Sequence, residues 1–136
     1  MTAALTLLML LATPNLAVKQ RLTSLLANAR GQGTLTVGKE VFKVSHVVVK
    51  LKEDGTGEIT LVTDLQLFVT STWSATDDLS AGIDLKITGG TNPGSVQGSG
   101  KLFLRPDGKS IASLTMEGMS PTVKRKIQLN FVAAVH

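Results

Sequence analysis

The chain predicts an all-β fold: an antiparallel up-and-down meander of about seven strands, built as a curved sheet, a flattened barrel or a sandwich, behind an apolar N-terminal segment. Three observations carry this. Apolar and polar residues alternate from Val41 to Thr70 on both sides of the turn Glu53-Asp54-Gly55-Thr56-Gly57. Val41, Val47, Val49 and Leu51 share one parity before it, and Ile59, Leu61, Leu65, Leu67 and Val69 share one after it. A period of two marks strands with one buried face. Turn signals recur at short intervals, the strongest being Pro106-Asp107-Gly108, where Pro presets the first central dihedral and Gly takes the positive one. After Gly31 no helical period recurs.

The elements follow in order. Residues 1–17 read as a signal peptide: residues 3–12 form an apolar run, Pro14 breaks it and Ala17 offers a small residue for cleavage. The run falls short of the roughly 20 residues that span a bilayer, so no transmembrane span is expected. Export to the periplasm or the extracellular space is the expected localisation. Two features depart from the pattern: no basic residue precedes the apolar core, and Asn15 stands just inside the cut. Residues 18–30 read as a basic amphipathic helix or linker, with Val18, Leu22, Leu25, Leu26 and Ala29 at helical spacing and Gly31 as its stop. If residues 1–17 are retained, Thr13-Pro14 caps this helix and it packs as an arm on the sheet.

Residues 31–136 form the β-domain. A short strand over 34–37 and a Gly38-Lys39 turn lead into a long strand over 41–52. Its partner, over 58–70, is interrupted in its apolar row only by Thr63. Two registers satisfy the Asp54-Gly55 turn: one sets His46 opposite Asp64, the other shifts the pairing by two residues and preserves the faces. Residues 71–82, small and polar around Trp73, read as a loop. Ile83, Leu85 and Ile87 mark a fourth strand, followed by a turn over 89–94. Strands over 96–105 and 109–117, a turn over 118–121, and a last strand with Val123, Ile127, Leu129, Phe131 and Ala133 on one face complete the meander.

Composition narrows the function. With 43% hydrophobic and 18% charged residues, the chain buries a core and is not a disordered segment. The net charge of +4 suggests an anionic partner until it is located: Lys19, Arg21 and Arg30 precede Gly31, and no acidic residue does. The β-domain is close to neutral, which argues against nucleic acid. Trp73, Phe42, Phe68, Phe103 and Phe131 are its aromatic residues, too few for a stacking platform. There is no Cys, so disulfides, thiolate nucleophiles and thiolate metal sites are excluded.

Few residues carry chemistry. His46 with Asp64 resembles the start of a general-base pair, and equally a cross-strand pair on a solvated face. Asp77-Asp78 with Asp84 invites a calcium reading, but their spacing matches no loop motif. Gly98-Ser99-Gly100 falls within a strand and is no nucleophile elbow. Lys124-Arg125-Lys126 alternates across a strand and so discourages edge pairing. Trp73 either plugs one end of the fold or stacks on a ligand.

The expectation is a non-catalytic exported domain acting as a binding or structural module. Trp73, His46 and Asp64 are its candidate ligand-binding residues, a protein or a small apolar ligand its partner, and no metal or cofactor is required. The first alternative is a carrier holding a small apolar ligand inside a barrel-like sheet, suggested by the aliphatic inward row and scarce aromatics. The second is an enzyme using His46 and Asp64. A second apolar row on the first hairpin, Phe42, Val44, Val48, Val62 and Phe68, predicts a homodimer unless a further layer covers it.

Overall fold

The computed structural model describes residues 22–76, 78–90, 97–120 and 124–134. Eight antiparallel strands form a closed barrel: β1 (Leu25–Val37), β2 (Glu40–Leu51), β3 (Thr56–Val62), β4 (Gln66–Ala75), β5 (Ile83–Gly90), β6 (Gln97–Leu104), β7 (Ile111–Ser120) and β8 (Arg125–Ala133). Each strand bonds to the next, and β8 returns to β1 in the register Thr34 to Asn130. The all-β meander therefore stands, and among its three forms it is the barrel.

The eighth strand comes from dividing one that the apolar row joined. Thr63 marks a turn: its N–H and its hydroxyl both donate to the Leu65 carbonyl, and the Leu65 N–H donates back to Thr63 Oγ1. A serine- or threonine-type turn of this kind reverses the chain within three residues. Leu65, expected inside, is thereby thrown outward and is 71% exposed.

Two further expectations are corrected. Residues 25–30, assigned to a helix, are the first half of β1, where Leu25 and Ala27 are buried while Leu26 and Asn28 are exposed. Pairing with β2, Leu25 to Leu51 through Arg30 to His46, overrides the helical spacing. Residues 18–21 and the expected signal peptide lie outside the described residues. Residues 71–75, read as loop, are the second half of β4 and pair with β5.

Across the Asp54-Gly55 turn the shifted register holds: Leu51 faces Gly57 and His46 faces Val62. Within β2 the inward parity slips by one residue, since Val44 and Val47 are both buried. The slip lies beside an irregularity in the β1–β2 register between Arg30 and Gly33, and such irregularities bend a strand. Val44 therefore joins the core and Phe42 packs against it, while Val41 turns outward. The expected second apolar row is reduced to Val48 and Val62, half-buried, and Phe68, exposed.

Eight strands enclose a space just wide enough for side chains to fill. Leu61, Ile83, Leu102, Leu129 and Phe131 are among those that fill it, each almost wholly buried and each contributing roughly 2 kcal/mol. At the seam between β8 and β1 the backbones lie so close that a Cβ on Gly31 would strike the Val132 carbonyl. Outward positions carry Lys43, Lys50, Glu58, Asp84, Lys86 and Glu117, all exposed. This polarity is the reverse of a lipid-embedded barrel, whose outer band is apolar. Among the described residues no helix is long and apolar enough to cross a membrane.

Candidate functional site

The barrel has two unlike ends. One carries the β2–β3, β4–β5 and β6–β7 turns and is cross-tied by side chains. Trp73, inward-facing near the end of β4, packs against the core. Its backbone N–H donates to the Gly55 carbonyl (3.0 Å) and its indole Nε1–H to the Lys52 carbonyl (2.8 Å). Arg105 donates through Nη2 to the Ala134 carbonyl (2.5 Å), tying the β6–β7 turn to the end of β8. We call this the braced end.

Two aspartates stiffen its turns. Asp107 accepts from the Ser110 hydroxyl (2.5 Å) and from the N–H groups of Lys109 and Ser110 (both 2.8 Å). These donors, the Ser110 hydroxyl foremost, favour the carboxylate and pull the Asp107 pKa down to about 2. Asp54 accepts from the hydroxyl and N–H of Thr56 and is shifted downward for the same reason.

The other end carries the β1–β2 and β3–β4 turns and the adjoining ends of β5, β7 and β8. Here the interior ends in an apolar recess of about 70 Å³, whose walls include Leu35, Leu67, Val69, Ile87, Met116 and Ile127. Phe68 borders it, and Val41, Leu65 and Met119 lie on the strand ends and turn of the same end; the four are respectively 51%, 65%, 71% and 50% exposed. These are four of the six large apolar side chains that the described surface leaves exposed, the others being Leu26 and Val132. Their gathering at one end makes this apolar end the candidate site, because clustered exposed apolar surface marks a contact.

The structure does not bring the three sequence-derived candidates together. Trp73 belongs to the braced end. Asp64 is an exposed residue of the β3–β4 turn, at the apolar end. His46 sits in the β2 wall between Arg30 and Val62, and its Nε2 is shielded from solvent without a hydrogen-bond partner. Among the described residues no carboxylate is set against that nitrogen, as a general base would require. Asp78 accepts from the N–H and hydroxyl of Ser80, Asp84 pairs with Lys101 at 3.3 Å, and Asp77 lies outside the described residues. Among the described residues no three His, Asp or Glu side chains gather to hold a metal.

The sequence reading set Phe68 on the outer face but missed Val41, Leu65 and Met119. Val41 and Leu65 share the parity of buried neighbours, so alternation places them inside. The available signal was Thr63-Asp64, a turn-forming pair that breaks the apolar row.

The class these features define is an eight-stranded antiparallel meander barrel, apolar within and polar without, with one braced and one apolar end. Comparison with protein-family models, curated protein sequences and solved structures finds no match.

Proposed function

We propose that the protein is a non-catalytic exported binding module that grips the apolar end of a ligand at the apolar end of its barrel. The observation that carries this is the asymmetry of the ends: an apolar recess and the exposed Val41, Leu65, Phe68 and Met119 lie at one end, while side-chain ties occupy the other. The recess of about 70 Å³ has room for about two methylene groups at roughly 30 Å³ each, the share of a water molecule in the liquid. At about 0.8 kcal/mol per buried methylene, affinity depends on the rim as well. This favours an end-on grip over a carrier with its ligand inside, since carrier cavities begin at roughly 300 Å³. Export rests on the apolar run over residues 3–12.

Titration of the isotope-labelled chain with tetraethylene glycol monooctyl ether, below its micelle-forming concentration, tests the grip. Saturable shifts at Leu67, Val69, Gly118 and Ile127, with Trp73 unmoved, are expected. Diffuse shifts, or shifts centred on Trp73, overturn the reading. The mass of the mature protein from its native host tests export, which an intact Met1 would refute.

A second reading follows from one stretch of outer wall. Val48 and Phe68 flank Thr60 in a single cross-strand row next to Val62, an apolar surface continuous with the rim. A second copy of the chain fits it, giving a homodimer. Val62→Lys is then expected to yield monomers on sizing without loss of the fold; a wild-type chain that is already monomeric at high concentration removes this reading.

A further inference from the structure

A trough of about 500 Å³ crosses the outer wall of β5 to β8, within the size range of small-molecule sites. Two adjacent cross-strand rows of polar side chains line it. Asp84, Lys101, Thr115 and Asn130 face one another in the first. Lys86, Ser99, Glu117 and Gln128 make the second, of which the last three line the trough. Glycine permits the close approach of strands beneath them: a Cβ on Gly100 would lie 2.6 Å from the Thr115 carbonyl oxygen and 2.7 Å from Met116 Cγ.

Only Asp84 and Lys101 spend their polar atoms on each other. The hydroxyls of Ser99 and Thr115, the amides of Gln128 and Asn130 and the carboxylate of Glu117 make no side-chain hydrogen bond among the described residues. The trough and the recess share one stretch of the β7–β8 wall, because Met116, Glu117 and Leu129 border both.

We propose that the trough receives the head of the ligand whose apolar end the recess grips, and that this head is an uncharged polyhydroxylated group, as in an alkyl glycoside or a neutral glycolipid. The inference rests on the apolar-end reading. Hydroxyls donate and accept, so they match a surface that mixes both in neighbouring positions. An anionic head would meet Glu117 and Asp84, with Lys101 already paired and Lys86 outside the trough's lining. A peptide would lack an edge strand to extend, because the barrel is closed. Nucleic acid would find neither a positive surface nor a stacking ring.

The test holds the tail constant and changes the head. Octyl maltoside, tetraethylene glycol monooctyl ether and octyl phosphate are titrated into the full chain below their micelle-forming concentrations. Octyl maltoside is expected to bind about fivefold or more tighter than the octyl ether, a margin that one or two neutral hydrogen bonds supply, and to shift Ser99, Thr115, Gln128 and Asn130. Octyl phosphate is expected to bind most weakly. Gln128→Ala with Asn130→Ala, both on the outer face, should erase the maltoside margin and leave the octyl ether unchanged. Equal binding of maltoside and ether overturns the head assignment and leaves the apolar-end reading standing. Tightest binding by octyl phosphate overturns it in favour of an anionic head. Absence of binding by all three overturns both readings.

Discussion

At the braced end Trp73 and Arg105 link strands that are not neighbours in sequence and two aspartates hold turns from within, whereas at the apolar end Val41, Leu65, Phe68 and Met119 are exposed beside a recess. The strands between them are continuous, so the contrast arises in the turns. The β2–β3 turn accepts the Trp73 indole at the Lys52 carbonyl, and such a tie stiffens a loop. At the apolar end the β3–β4 turn bonds within itself through Thr63 and Leu65, and Gly38 of the β1–β2 turn donates its N–H to the Lys126 carbonyl, with no side chain tying either turn to a distant strand among the described residues. A rigid scaffold with functional surface gathered on one set of turns is a common division of labour.

The contrast can be broken in order of expected size. Trp73→Ala removes a core contact and the bond to Lys52, and should cost about 3 kcal/mol in urea unfolding. A loss under about 1 kcal/mol would mean that the brace is decorative. Arg105→Ala cuts the tie to Ala134 and should cost about 1.5 kcal/mol, with faster amide exchange at the end of β8 as its local signature.

Acid should loosen the braced end by a smaller amount. The folded pKa of Asp107, about 2, lies below its ordinary 3.8, so its turn contributes stability above the ordinary value and loses it as pH falls toward 2. Asp54 is shifted in the same direction and adds to the trend. Amide resonances of Lys109 and Ser110 should follow this titration, and Asp107→Asn should flatten the fall in stability between about pH 4 and 2. Smallest in stability is Phe68→Ser at the apolar end, expected within about 0.5 kcal/mol of wild type while octyl ether binding weakens severalfold. Equal damage to stability would show Phe68 to be structural, and the two ends less different than described.

Much of the barrel is legible in the chain because alternation and turn chemistry are local. Ile59, Leu61, Ile83, Leu85, Leu129 and Phe131 point inward as their parity requires, and Asp107-Gly108 turns where its residues demand. The rest depends on partners that a local pattern does not contain. Leu25, Leu26 and Ala29 fit a helix as well as Leu25, Ala27 and Ala29 fit a strand; pairing with β2 decides. Ser71, Thr72 and Ser74 have loop composition, yet pairing of the first two on both sides, and of Ser74 with β5, holds them in β4. The rim of the candidate site was hidden for a related reason. A slip of one residue in β2 and a three-residue turn at Thr63 each reverse a facing that the apolar rows appoint.

The seam between β1 and β8 bears on how the chain acquires this structure. Gly31 bonds alongside Ala133, so the last ladder joins residues nearly the whole chain apart, whereas every other ladder joins sequence neighbours. Hairpins form within microseconds, but a contact of such separation bears the full entropy of the intervening loop. Assembly should therefore proceed hairpin by hairpin to an open, curled intermediate, and sealing of the seam should set the rate. Until then β1 and β8 are two unsatisfied edges, each a template for another molecule. Refolding yield is thus a race between one intramolecular zipper and collisions whose frequency rises with concentration.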